Sequence, residues 1–140
     1  MIKVGIIGAG RIGRVHSESI SKYVKGAEIK AISDVRVTDE LKAWAQGMGI
    51  PHVYEDYCQI LNDPEIDAVL VCSSTNTHAP ISIEAARAGK HIFCEKPIDA
   101  DVGRIKEVLA EVEKAGVKFQ VGFNRRFDHN FKAIRDRVVA

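Results

Sequence analysis

The sequence lacks the features that place a chain in a membrane, in an oxidising compartment or on a polyanion. Its three cysteines, Cys58, Cys72 and Cys94, are odd in number and far apart, which argues against a disulfide framework and fits a reducing cytoplasm. No apolar run approaches the roughly 20 residues that a membrane helix needs, and the N-terminal residues lack the pattern of a signal peptide. The formal net charge is only +1, so we expect neither nucleic acid nor a membrane as a partner.

The histidines and cysteines also lack the spacing of a metal site, so no metal is expected. His16 falls on the first predicted helix, where we expect it to be packed or solvated rather than catalytic. Cys72 and Cys94 end apolar runs and are expected to be buried and inert. The chemistry of this chain therefore has to come from other residues.

A regular alternation of strand and helix patterns is what the sequence does contain. Its length and its 46% hydrophobic content suffice for one domain with a real core. The first helix carries Ile12, Val15 and Ile20 near one face, and the fourth has Pro80 in its first turn, where a missing N–H costs nothing. Strands are predicted at 2–7, 28–33, 52–54, 66–72, 90–94 and 118–121, and helices at 11–25, 39–48, 57–62, 77–88, 101–115 and 128–139. This alternation predicts an α/β fold with a mostly parallel sheet and helices on both faces.

A glycine motif lies between the first strand and the first helix. It reads Gly8-Ala9-Gly10-Arg11-Ile12-Gly13, the GxGxxG pattern of a Rossmann fold in the context that makes the pattern meaningful. Gly8 permits the tight turn, Gly10 lets the backbone approach a pyrophosphate, and Gly13 lets the helix pack closely on the strand. The helix N-terminus offers free N–H groups to the phosphates. We therefore predict that residues 8 and 10–13 bind a dinucleotide.

An acidic residue completes this fingerprint. Asp34 ends the second predicted strand, about 20 residues past Gly13, where a carboxylate accepts hydrogen bonds from the ribose hydroxyls of the cofactor. The same carboxylate repels a 2′-phosphate, so the sequence favours NAD over NADP. Arg36 lies close by and is the one residue that could instead meet such a phosphate.

Three further stretches carry a resemblance to a known family. They read Val69-Leu70-Val71-Cys72-Ser73-Ser74-Thr75-Asn76-Thr77-His78, Gly89-Lys90-His91-Ile92-Phe93-Cys94-Glu95-Lys96-Pro97 and Gln120-Val121-Gly122-Phe123-Asn124-Arg125-Arg126-Phe127-Asp128. Together they closely resemble the glucose–fructose oxidoreductase / inositol 2-dehydrogenase (Gfo/Idh/MocA) family, and most closely its inositol 2-dehydrogenase members. The resemblance covers the whole chain, and its most specific mark is the Glu-Lys-Pro tripeptide.

The resemblance implies a cofactor role for two groups of residues. Glu95 and Lys96 would lie beside the nicotinamide ring, and Pro97 would shape that loop through a cis peptide bond. The residues that would line the cofactor at the carboxyl end of the fourth strand are Ser73, Thr75, Asn76 and His78.

The resemblance also implies a reaction. The chain would belong to an NAD-dependent dehydrogenase that oxidises a secondary hydroxyl of a cyclic polyol or sugar, myo-inositol to its 2-keto form. Lys96 would be catalytic, because hydride transfer from an alcohol also requires removal of the hydroxyl proton. Asn124 and Arg126 would reach the substrate, and the run at 124–128 favours inositol.

Members of the family carry a second α/β domain, which is absent from these residues. We therefore expect an NAD-binding Rossmann domain at 1–122 and, at 123–140, the start of the connection to the missing catalytic domain. The face left by that domain should be apolar and should favour self-association or a partner chain. The isolated chain should be inactive. Two alternatives stay open: a stand-alone or split nucleotide-binding module, and a related sugar dehydrogenase.

Overall fold

The structure, a computed structural model, describes residues 1–140 and alternates strands with helices along its whole length. The strands are β1 (Ile2–Ile7), β2 (Ala27–Ser33), β3 (His52–Tyr54), β4 (Ala68–Val71), β5 (His91–Cys94) and β6 (Phe119–Val121). The helices are α1 (Arg11–Tyr23), α2 (Asp39–Gly47), α3 (Cys58–Leu61), α4 (Thr75–Arg87), α5 (Val102–Ala115) and α6 (His129–Val139). A 3₁₀ turn, Asn124–Phe127, precedes α6.

The six strands form one sheet in the order β3-β2-β1-β4-β5-β6. All five neighbouring pairs are parallel, which confirms the predicted Rossmann architecture. The chain starts at the centre with β1, moves to one edge, and returns to build the other half from β4. The order of the strands therefore reverses between β1 and β4, and open sheets of this kind bind ligands outside the carboxyl ends of the strands at that point.

Helices cover both faces of the sheet because its central strands are apolar on both sides. On β1, Ile6 and Ile7 are both buried but belong to different core clusters. The larger cluster packs β4 and β5 against α4 and α5, and the smaller one packs β1 and β2 against α2. Consecutive residues of a strand point to opposite faces, so an uninterrupted apolar run is what a strand covered on both sides requires.

Helix ends mostly follow the signals in the sequence. Thr38 caps α2, with its Oγ1 accepting a hydrogen bond from the Leu41 backbone N–H at 3.1 Å. Gly116 ends α5 in the left-handed conformation, with φ of 67°. Capping by a threonine side chain and termination by a left-handed glycine both depend on local chemistry.

Many element boundaries differ from the prediction by one or two residues, and two of these differences have a clear physical cause. Strand β4 begins at Ala68 because the Ile66 N–H donates to the Asp63 carbonyl in a turn, although the Ile66 side chain is buried. Helix α4 begins at Thr75, two residues early, so Pro80 lies past the first turn. The expectation that Pro80 replaces an N–H without a partner is therefore wrong, since the Asn76 carbonyl loses its usual helical donor.

Helix α1 buries small residues rather than its apolar ones. Gly13 and Ser17 form its buried face, while Ile12 and Val15 are 38% and 50% exposed. The Ser17 hydroxyl donates to the Gly13 carbonyl at 2.8 Å, which satisfies it inside the interface. Of the three apolar residues expected near one face of this helix, only Ile20 is half-buried, and it packs against the smaller core cluster. None of the helices combines the length and the hydropathy that a membrane span requires.

Strand β1 offers a matched test of this core. Replacing the fully buried Ile6 with alanine should lower the free energy of unfolding by about 2–5 kcal/mol, because it leaves a cavity at the centre of the sheet. Ile2→Ala, on the same strand but 54% exposed, should change it by less than about 0.5 kcal/mol. Urea unfolding followed by circular dichroism measures both. Equal losses for the two variants would contradict the assigned burial of β1.

Candidate functional site

The glycine loop is held in place by close backbone contacts. Gly8 has a φ of +101°, and a Cβ there would lie 2.6 Å from the Ser73 nitrogen and 2.7 Å from the Cys72 carbonyl carbon. A Cβ on Gly13 would overlap the Gly8 carbonyl oxygen. Both glycines are therefore needed to bring α1 against β1 and β4, as the motif predicts.

Gly10 has a different environment. It is exposed, and a Cβ built on it would meet no heavy atom within 4 Å. It precedes α1 at the N-cap position, where no side chain bonds the free N–H groups of the first turn. Open space in front of unbonded N–H groups is what a bound phosphate requires. Arg11 and Ile12 follow it in the first turn, and both are exposed.

Asp34 anchors the loop to the end of β2. Its Oδ2 accepts a hydrogen bond from the Ala9 N–H at 2.9 Å, and its Oδ1 accepts one from the Arg36 N–H at 3.0 Å. Each carboxylate oxygen can accept a further bond, so Asp34 can still bind ribose hydroxyls. The Arg36 side chain is exposed and makes no ion pair.

Arg14 is a neighbour of this loop that the sequence did not single out. Its Nε donates to the Ala9 carbonyl at 3.2 Å, and its Nη1 donates to Glu40 at 2.8 Å. The guanidinium lies 5.0 Å from the centre of the Trp44 ring, within the range of a cation–π contact. Arg14 thus ties the glycine loop to α2, and no motif signals a contact that depends on how those helices pack.

A cleft of about 300 Å³ runs between the glycine loop, the end of β2 and the start of α4. Ser33 lies on its wall, and its buried hydroxyl has no hydrogen-bond partner. A buried polar atom without a partner in the protein calls for an explanation, and a bound ligand is one. Together with the open space at Gly10, this shows that the residues present fit a dinucleotide. The cleft is lined by Gly8, Gly10, Asp34, Ser73 and Thr77 among others.

The start of α4 forms one side of this cleft. Thr75 and Asn76 are exposed in its first turn, and Ser73 is half-buried just before it. The Ser73 hydroxyl donates to Thr77 Oγ1 at 2.6 Å, since the Thr77 hydroxyl itself donates to the Ser74 carbonyl. Ser73 and Thr77 line the cleft, whereas the predicted residues Thr75 and Asn76 are not among its lining residues.

His78 is placed differently from its neighbours. It is buried, and its ring nitrogens lie 2.6 Å from the Pro97 carbonyl oxygen and 2.9 Å from the Ser73 carbonyl oxygen. No ring nitrogen is left for a ligand. His78 therefore affects the site indirectly, through the loops at Ser73 and Pro97 whose carbonyls it contacts.

The Glu95-Lys96-Pro97 segment follows β5 on the same edge of the sheet. The Lys96–Pro97 peptide bond is cis, as the resemblance implies. Glu95 Oε1 accepts a hydrogen bond from His16 Nε2 at 2.7 Å. His16 is thus packed, as expected, but its partner is a residue of the predicted site. The Lys96 side chain is exposed and makes no ion pair.

The three residues predicted to reach the substrate lie around one cavity. Lys96, Asn124 and Arg126 line a cavity of about 510 Å³, together with Phe123 and Arg125. The 3₁₀ turn that begins at Asn124 brings these side chains to the end of β5. The predicted substrate residues are therefore neighbours, although Lys96 and Asn124 are 28 positions apart in the chain.

The cysteines near this edge are protected. Cys72 and Cys94 are buried, and burial raises the pKa of Cys72 to about 12 and that of Cys94 to about 11. The thiolate is the reactive form, so both are inert near neutral pH, as predicted. No group of three or more His, Cys, Asp or Glu side chains is arranged to hold a metal ion.

Nearly the whole length of this chain is similar to part of several known proteins. It is 50% identical over 137 residues to the uncharacterized oxidoreductase YrbE of Bacillus subtilis and 44% identical over 137 residues to myo-inositol 2-dehydrogenase of Thermotoga maritima. Each match covers 98% of this chain and 40% of the relative. The chain therefore spans about 40% of the length of these relatives.

A solved structure and a family model agree with these relatives. The scyllo-inositol dehydrogenase of Lactobacillus casei, with bound NAD(H) and scyllo-inositol, superimposes with a TM-score of 0.90 at 33% identity, over 99% of this chain and 41% of that one. Residues 2–123 match the model of the oxidoreductase family with an NAD-binding Rossmann fold. The chain belongs to that family, Gfo/Idh/MocA, and carries its NAD-binding Rossmann fold.

Proposed function

We propose that this chain is the NAD-binding half of a dehydrogenase that oxidises a secondary hydroxyl of a cyclic polyol, myo-inositol to its 2-keto form. One observation carries the proposal. The open phosphate cradle at Gly10 and the exposed Lys96 lie on one edge of a parallel sheet, with the strand reversal between them. The relatives support the substrate class, since their names include myo-inositol and scyllo-inositol dehydrogenases.

The chain's part in binding follows from the loop and the strand ends. The N–H groups at the start of α1 donate to the pyrophosphate, and the space at Gly10 admits it. Asp34 accepts hydrogen bonds from the ribose hydroxyls beyond that point. Ser73, Thr75 and Asn76 hold the cofactor from the α4 side. The nicotinamide supplies the hydride acceptor when it is bound.

Lys96 handles the proton in this proposal. With its Nζ in the neutral amine form, Lys96 accepts a hydrogen bond from the substrate hydroxyl and takes up its proton as the carbon gives up its hydride. Glu95 contacts the nicotinamide end of the cofactor beside it. Asn124 and Arg126 donate to other hydroxyls of the ring and so select its orientation.

We assign the cofactor function to residues 1–122 and the connection to a catalytic domain to residues 123–140. Helix α6 supports this division because none of its residues is buried. Its exposed apolar side chains include Phe131, Ile134 and Val138, and such a surface favours a covering domain, self-association or a partner chain. The free cysteines fit a cytoplasmic protein.

A second candidate function is a stand-alone or split nucleotide-binding module without catalysis. The cleft beside the glycine loop is all that this candidate requires, whereas the free Lys96 beside Asn124 and Arg126 favours an enzyme. A sugar dehydrogenase of the same family is the alternative for the substrate, because other hydroxylated rings offer the same groups to these side chains.

Gly10 gives a direct test of cofactor binding. Gly10→Ala should leave stability unchanged, because its Cβ meets no protein atom, but should weaken NAD binding roughly 10- to 100-fold by displacing the pyrophosphate from the N–H groups. Isothermal titration with NAD measures the affinity. Gly47→Ala is the matched control, since that glycine also faces open space and should keep full affinity. No NAD binding by the unchanged chain would refute the proposal.

Asp34 should set the preference between NAD and NADP. Asp34→Asn keeps an oxygen acceptor for the Ala9 N–H but removes the charge that repels a 2′-phosphate. We expect the ratio of NADP to NAD affinity to rise about 10-fold. The double variant Asp34→Asn/Arg36→Gln shows whether Arg36 then binds the phosphate. A preference of the unchanged chain for NADP would contradict this assignment.

A turnover assay tests whether these residues by themselves catalyse the reaction. With saturating NAD and myo-inositol, the 140-residue chain by itself should produce little or no NADH, because the cavity at Lys96 is open and lined by only five residues, too few to enclose and orient a ring. The NADH absorbance band is the readout. Rapid NADH production would show that these residues suffice for catalysis, and the same assay with sugars tests the alternative substrate.

A further inference from the structure

A histidine from α1 contacts the segment that carries Lys96. His16 lies one turn past Gly13, and its Nε2 donates to Glu95 Oε1 at 2.7 Å. Its ring packs edge-on against Phe93 of β5, with ring centres 5.2 Å apart. The His16 and Glu95 side chains are 23% and 14% exposed, so their hydrogen bond is largely shielded from water and correspondingly stronger.

A second histidine, from α4, contacts the other end of the same segment. His78 is 2% exposed and lies between two backbone carbonyls, those of Pro97 and Ser73. Ser73 is also the residue whose nitrogen faces Gly8. His78 therefore links the loop after β5 to the loop after β4, which borders the glycine turn.

The residue between these two contacts is free. Glu95 is held from α1 and Pro97 from α4, whereas the Lys96 side chain has no ion-pair partner and is exposed. Each contacting helix begins at the cleft, α1 after the glycine loop and α4 at its N-cap Ser74 and at Thr77 in its first turn. The segment is thus tied to the two helices whose N-terminal ends face the cleft.

We propose that His16 and His78 are positioning residues that hold the Glu95-Lys96-Pro97 segment from both ends and so set Lys96 and Glu95 against the nicotinamide half of the cofactor. This inference rests on the proposed NAD binding. Its physical basis is preorganisation, because a segment that is ordered before binding loses less entropy when the ligand arrives. Neither histidine touches the reacting atoms in this assignment.

The test compares two ligands that share the adenosine half. NADH carries the nicotinamide, and ADP-ribose lacks it. A positioning role at residues 95–97 should therefore affect the affinity for NADH but not the affinity for ADP-ribose. His16→Phe keeps a ring against Phe93 but loses the donor to Glu95. It should weaken NADH binding about 10-fold and reduce the rise in NADH fluorescence on binding, while the affinity for ADP-ribose stays unchanged.

Two variants serve as controls. His16→Gln retains an N–H donor and should restore most of the NADH affinity, which a purely steric role of the ring would not allow. His52→Gln alters an exposed histidine on β3 and should leave the affinities for both ligands unchanged. The double variant His16→Phe/Glu95→Gln should lose less NADH affinity than the sum of the two single losses, because the two side chains share one hydrogen bond.

His78 is tested in the same way, with ADP-ribose binding as the check that the variant is folded. His78→Gln retains a donor for one carbonyl, and His78→Phe retains none. NADH affinity should therefore be lower for His78→Phe than for His78→Gln. Equal losses for NADH and ADP-ribose in the His16 variants, or no loss at all, would overturn the inference while NAD binding stands. Failure of the unchanged chain to bind either ligand would overturn the proposed function and this inference with it.

Discussion

The close approach of α1 to the glycine loop is the constraint on which the rest of the structure depends. A Cβ on Gly13 would overlap the Gly8 carbonyl, and a Cβ on Gly8 would overlap the backbone at Cys72 and Ser73. Without side chains at these two positions, the start of α1, the end of β1 and the end of β4 meet at one point. That point is the strand reversal of the sheet, so the free N–H groups of α1 face the place where a ligand can lie.

The other candidate site residues follow the carboxyl ends of the neighbouring strands on either side of this point. Asp34 lies at the end of β2, and Ser73 and Thr75 lie between β4 and α4. Lys96 follows β5, at the far side of the strand reversal. A dinucleotide is an extended molecule with a ribose at each side of its pyrophosphate, so a sheet edge with a phosphate cradle near its middle matches its shape. The fold therefore places these candidate residues in an order that matches the length of an extended dinucleotide.

The positions of several elements and of the candidate site residues beside them were predictable because their signals are local. The glycine motif, Asp34 and the Thr38 cap each depend on residues close together in the chain, and the structure places all three as expected. The predictions failed where the backbone conformation could not be inferred from the apolar or polar character of the side chains. Ile66 is buried although it lies in a turn, and α4 begins early enough to carry Pro80 past its first turn. Apolar character alone does not distinguish these cases.

The sequence by itself determined the alternating elements, the glycine turn and the acidic end of β2, because periodicity, conformational freedom and charge belong to individual residues and their near neighbours. Only the tertiary structure decided which distant side chains meet. Arg14 bonds to Glu40, His16 bonds to Glu95 across 79 residues, and His78 reaches Pro97. These contacts follow from the order of the strands and from how closely the helices pack on them. The physical reason is that a hydrogen bond depends on distances in space, whereas a sequence pattern reports distances along the chain.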